Sequence, residues 1–412
     1  MRLTDLREQT VRNEGFRFAY LRKTKTPQEA SGLRRLMTAP FLIRYLLWCE
    51  ENLATHPEKA LPWALEATNL VATWERLRPD RTKDWIRFKV RAHAVRGIAL
   101  RIQHRLTEAD LDYQNGLLCL AENRSLIPDG DAIGFYLNFA GHWLYQDKLS
   151  KTDSILQCAL KIAERSNSRD DISCCHAMLG SMHLRASLQQ KESVCLAGNV
   201  IDNRQVASYH LNLSARQIDA RKDKRFAYAN LVNLATLAYL ESTTERRQAL
   251  AFELDETRRA FVRRKLRISF LICKFDWLRG LLYRNLGETA TARKILRRCR
   301  QRFAKFDTPD TYLSVTLDLA DLERRSGNHK AARTLAEEAT PFVERYIACG
   351  SQQAEKLHAW HQASLQAAPD ADRLLATVRS AFGAFPDQPS VTNDAAAATA
   401  AAGWAKITRA AN

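Results

Sequence analysis

At 412 residues the chain exceeds the size at which one globular core keeps growing, so it divides into domains or forms an array whose units touch only their neighbours. Apolar residues make up 46% of it, while only 15 Gly and 11 Pro punctuate it, which favours long helices over a strand-and-turn protein. The formal charge of +17 is unevenly placed, and no apolar run of the length that spans a bilayer is present.

Residues 244–305 hold 18 Lys and Arg against 6 Asp and Glu, and residues 1–38 hold 9 against 4. These two segments account for the whole excess, so a basic region rather than a basic protein needs explaining. The start carries Arg2, Asp5, Arg7 and Glu8 with no apolar stretch behind them, unlike a secretory leader. Nine cysteines are scattered among helical neighbours: Cys49, Cys119, Cys158, Cys174, Cys175, Cys195, Cys273, Cys299 and Cys349. A chain of this length without Cys-dense spacing is expected to keep reduced, buried thiols in the cytoplasm.

In chain order, 1–38 reads as a basic arm or atypical cap, with short helices around 3–12 and 28–37. From Pro40 the helical period is continuous. Phe41, Leu42, Tyr45, Leu46 and Cys49 recur at three- and four-residue spacing, and a second helix over 58–77 stops before Pro79. Pairs are then expected at 81–105 with 107–123, 130–147 with 150–166, and 170–188 with 190–200. Thr107 and Asp110 form a start that resembles a capping box. Residues 201–222 are less regular and read as a break followed by a polar helix. Helices at 224–241 and 244–265 follow, then two clear repeats at 267–304 and 309–347, then closing helices over 351–383. The tail 384–412 begins with Pro386 and Pro389. Asn393-Asp394 could cap a helix through its Ala-rich run.

The two clear repeats carry the most information. Gly280, Tyr283, Gly287, Ala292, Leu296 and Cys299 recur forty residues later as Ala320, Gly327, Ala332, Ala336 and Ala339. Each stretch is a helix, a Gly-centred turn and a second helix with small residues facing back. Such a unit cannot bury its apolar face alone and has to stack on copies of itself. Looser versions include Gly97 with Tyr113 and Gly116, Ala140 with Trp143 and Leu156, Leu179-Gly180, and Asn233-Leu-Ala235. The pattern resembles the tetratricopeptide repeat family over roughly residues 80–345. The step between small residues is 40 to 45, with one of 55, where the family has 34. The resemblance implies an all-α, right-handed superhelical solenoid of antiparallel helix pairs over 39–383. It also implies a non-enzymatic scaffold or regulatory adaptor that binds a peptide or another protein, without a cofactor.

Several residues are candidates for contact. Arg258, Arg259, Arg263 and Arg264 lie on one predicted helix, and Arg293, Lys294, Arg297, Arg298 and Arg302 on another. They form either an anion site or a solvated helix face. An anion site would take an acidic partner surface or, as the alternative, a phosphate backbone. Nothing aromatic is interleaved along these stripes, which argues against base stacking. Asn138 and Asn233 share a repeat position on the inner face of a first helix, where Asn either bonds a bound peptide backbone or braces a neighbouring helix.

Arg204 with His210, and Arg324 with His329, have the Arg…His spacing of helical ribonucleases. Two residues at a loose spacing name no geometry, so a nuclease is the minor reading. Cys174, Cys175, His176 and His183 invite a metal reading. Adjacent cysteines on a helix point about 100° apart, and buried packing is the better account.

Overall fold

The computed structural model describes residues 38–381, except 54–56, 104, 189–194, 197–198, 201, 218–223, 264–268, 306–308, 349–353, 367 and 369. The arm at 1–37 and the tail at 384–412 lie outside the described residues. Among the described residues sixteen α-helices follow one another. They are α1 (Ala39–Asn52), α2 (Pro57–Leu77), α3 (Thr82–Ile102), α4 (Leu106–Glu122), α5 (Asp129–Tyr145), α6 (Leu149–Arg165), α7 (Arg169–Leu188) and α8 (Asn203–Gln217). Then come α9 (Lys224–Glu241), α10 (Thr244–Arg263), α11 (Ser269–Asn285), α12 (Thr289–Lys305), α13 (Pro309–Arg325), α14 (His329–Ala348), α15 (Ala354–Leu365) and α16 (Ala371–Ala381). They fall into two compact units, one up to His142 and one from Trp143. Within each, consecutive helices pack pairwise, the arrangement of a tetratricopeptide-like α-solenoid.

Local chemistry explains the boundaries. Thr38 caps α1, its Oγ1 accepting from the Phe41 N–H at 3.3 Å, and Pro40 sits in the first turn where its missing donor costs nothing. The repeat turns close by one device. Gly287 (φ +80) and Gly327 (φ +75) adopt the left-handed conformation. The next residue then donates back across the helix end, Glu288 to the Tyr283 carbonyl at 3.0 Å and Asn328 to that of Glu323 at 2.8 Å. Asp147 (φ 58) does the same work after α5, with Lys148 donating to the Trp143 carbonyl at 2.9 Å.

In the first unit, Phe41, Leu42, Tyr45, Leu46 and Cys49 of α1 meet Ala60, Ala64 and Ala67 of α2 in one core. In the second unit a continuous core runs from Leu184 to Val378. Pairing rests on a small residue opposed by a large one sixteen positions on. A Cβ built on Gly97 would lie 2.5 Å from the Tyr113 ring, and one on Gly280 would lie 2.8 Å from Leu296. Ala320 and Ala336 keep the same offset and are both buried.

Gly180 breaks the rule. Its neighbour is Leu211, thirty-one positions on, because α7 pairs with α8 rather than with a helix at 190–200. That expected helix is replaced among the described residues by a two-residue antiparallel ladder, β1 (Cys195–Leu196) and β2 (Asn199–Val200). The added residues account for the 55-residue step.

The Tyr113 ring is buried and stacked on Phe139, with centroids 4.9 Å apart, so it cannot move aside. Gly97→Ala is therefore expected to cost about 1–3 kcal/mol despite alanine's better helix propensity. Gly134→Ala, with nothing within 4 Å of its Cβ, is expected to be neutral or to stabilise by up to about 1 kcal/mol. Urea denaturation of the two variants tests this, and equal midpoints would refute the close-approach account.

Candidate partner-binding surface

The basic segment divides into two populations. Helix α12 buries Ala292, Leu296, Cys299 and Phe303, which sends its polar residues along the remaining lines. Arg293 and Arg297 turn toward α13 and share the carboxylate of Glu323, which is wholly buried. The distances are 2.8 Å from Arg293 Nε and 3.0 Å from Arg297 Nη2. Arg300 lies over the Tyr312 ring at 5.0 Å and donates to the Tyr312 hydroxyl, Thr316 Oγ1 and Glu338. Arg302 reaches Asp276 at 3.5 Å, where Arg258 and Arg279 also end, each at 2.8 Å. Arg258, Arg293, Arg297 and Arg300 thus fasten one helix pair to the next, while Arg302 ties α12 to α11 of its own pair.

What remains is a spine on the outer line of α12. Lys294, Arg298 and Lys305 are exposed, and none has an ion pair among the described residues. Arg297 keeps 55% of its side chain exposed beside them. Arg259 on α10 is exposed and pairs with Glu256 of its own helix. The Arg263 side chain and all of Arg264 lie outside the described residues.

The first helices of successive pairs form a second feature. Asp318 of α13 is fully buried, and its Oδ2 accepts from Trp277 Nε1 of α11 at 2.8 Å. Its Oδ1 accepts from Arg379 of α16 at 3.0 and 3.1 Å and from Arg284 of α11 at 3.5 Å. Arg379 also donates to Asp321 at 2.9 Å. Two guanidinium groups and two carboxylates neutralise one another there. Asn233 of α9 is half-buried and donates to Ser181 of α7 at 2.6 Å, so the bracing contact is present. Asn138 of α5 is half-buried in the first unit.

The Arg…His pairs point elsewhere. Arg204 donates to Ser187 at 3.0 Å, and Arg324 pairs with Asp372 of α16. His210 instead meets His176 of α7, Nδ1 to Nδ1, at 3.0 Å, and stacks parallel to His183 with centroids 6.0 Å apart. His183 Nδ1 donates to Asn203 Oδ1 at 3.0 Å. Burial, with the neighbouring imidazoles His176 and His183, pushes His210 down to about 4, and burial also lowers His176. No group of three or more His, Cys, Asp or Glu among the described residues is arranged to hold a metal. Cys174 and Cys175 are buried, and burial pushes the Cys175 thiol up to about 12. Cys158, expected to be buried, is exposed on α6.

The sequence reading missed Asp318, Asp321, Glu323 and Arg379, and the meeting of His176 with His210. Acidic residues on a helix that is buried along most of its length were the available signal for the first three. The histidines gave none, since the insertion hides which helix pairs with α7.

Residues 272–345, which span α11 to α14, match the family model of the tetratricopeptide repeat. No curated protein matches the chain. The match falls on the two units that the sequence carries most clearly, and tetratricopeptide repeats are in general protein-interaction scaffolds.

Proposed function

From the premise that the chain is a tetratricopeptide-like helical repeat, we propose that it is a non-enzymatic adaptor whose α12 spine docks an acidic segment of a partner protein. One observation carries this. Seven basic residues crowd α12, and four of them are engaged within the fold, which leaves Lys294, Arg298 and Lys305 in line along about 16 Å of helix. Cations at that spacing suit carboxylates on an extended or helical segment. The one aromatic residue of α12, Phe303, is buried, so the spine offers no platform on which a base could stack. The free thiols of the described cysteines fit a reducing, cytoplasmic setting.

The test is the triple variant Lys294→Glu, Arg298→Glu, Lys305→Glu against two probes, an oligoglutamate peptide and a single-stranded oligonucleotide of equal charge. The peptide is expected to bind the unmodified protein and to lose at least tenfold in affinity on charge reversal, with the thermal midpoint unchanged. Binding should also weaken as salt rises. Preference for the oligonucleotide would move the reading to a phosphate backbone, and binding of neither would remove it.

A further inference from the structure

Helix α16 occupies a place that pair-by-pair stacking does not give it. As the second helix of the last described pair it packs on α15, yet it also packs on α13, the first helix of the preceding pair. There it covers the polar line of α13. Asp372, in the first turn of α16, pairs with Arg324, and Arg379, in its last turn, pairs with Asp318 and Asp321. The two ends of the clasp carry opposite charge, so α16 is held antiparallel to α13 and in one register. Asp372 and Arg379 are seven residues apart, about 10 Å of helix, which matches the span from Arg324 to Asp318.

Two further properties describe how α16 is held. Along its described span, Ala371–Ala381, it turns Ala371, Leu375 and Val378 inward, where they are buried. Beside these apolar contacts the seat is ionic, with Arg379 at 8% exposure and Asp318 at 0%. Buried pairs of this kind add little stability over apolar packing, but they fix a position and a direction.

We propose that α16 is an intramolecular occupant of the first-helix face of the 272–345 segment. A partner helix carrying an acid and an arginine two turns apart displaces it to bind there. The proposal rests on the reading of the chain as a protein-binding scaffold, though it concerns a different face from the α12 spine.

The test uses the full chain and a labelled peptide of residues 368–383. In Arg379→Glu, and in Asp372→Arg at the exposed end of the clasp, amides of α16 are expected to exchange at least tenfold faster while α11–α14 keep their protection. Each variant is expected to bind the labelled peptide at least tenfold more tightly than the unmodified protein does. A peptide carrying Arg379→Glu is expected not to bind. Adding Arg324→Asp to Asp372→Arg restores the clasp with reversed sign and is expected to reseat α16.

If α11–α14 lose protection together with α16, the helix is a fixed part of the core and the proposal falls. It falls equally if α16 is released and the peptide still does not bind. Oligoglutamate binding to the α12 spine, measured on the same variants, reports separately on the proposed adaptor function. Its loss alone leaves the α16 result intact.

Discussion

Replacing Asp318 with alanine is expected to cost about 3–5 kcal/mol, the penalty for breaking a buried ion pair from one side. The carboxylate is fully buried and accepts from Trp277, Arg284 and Arg379. Its removal leaves two guanidinium groups, at 3% and 8% exposure, sharing Asp321. The indole N–H of Trp277 loses its acceptor at the same time. Asp318→Asn keeps the shape and an acceptor for Trp277 but not the charge, so its cost should fall between those of alanine and the unmodified protein. The comparison is Glu337→Ala on α14, which removes an exposed pair with Arg333 at about half exposure on each side. That change is expected to cost less than about 0.5 kcal/mol. Urea midpoints of the three variants decide the matter. A loss below about 1 kcal/mol for Asp318→Ala would mean that water reaches the stranded arginines.

The contrast between these two carboxylates also shows where sequence reading stops. The helices were legible because each signals itself locally. Apolar residues recur at helical spacing, Pro79 bars continuation, and Gly287 and Gly327 stand at turns that need a left-handed residue. Expected bounds such as 58–77 and 224–241 agree with Pro57–Leu77 and Lys224–Glu241 to within a residue. The α7–α8 pair was not legible. The insertion between α7 and α8 displaces Leu211 from the offset that joins Gly280 to Leu296, and a polar helix carries little amphipathic signal. The charges were legible as a count but not as pairs. Arg293 reads as surface charge until Glu323, thirty residues on, is seen beneath it. Arg379 meets Asp318 from sixty-one residues away. The sequence excess at 244–305 therefore overstates the free positive surface, which narrows on α12 to Lys294, Arg298 and Lys305.

Lowering the pH from 7 to 4 is expected to weaken the α7–α8 pairing through His210, by up to roughly 3 kcal/mol. The ring is held well below the ordinary histidine value, at about 4, so the unfolded chain takes up a proton in a range where the folded one refuses it. The stabilisation is thus complete above about pH 6.5 and is lost progressively down to about pH 4, below which it no longer changes. Geometry gives the same sign. With both rings neutral, one Nδ1–H donates to the other Nδ1 across 3.0 Å, whereas two imidazolium rings would present donor to donor. His183 stacks on the other side with its Nδ1 proton already given to Asn203, so it cannot relieve the pair. Glu164 is the one acidic group that favours the charged form of His176, and it does not outweigh burial there. His210→Phe keeps an aromatic ring against His176 and Tyr209 but does not titrate. Urea midpoints measured between pH 7.5 and pH 4 are expected to fall less steeply for this variant than for the unmodified protein. Identical slopes would remove His210 as the source of the acid sensitivity.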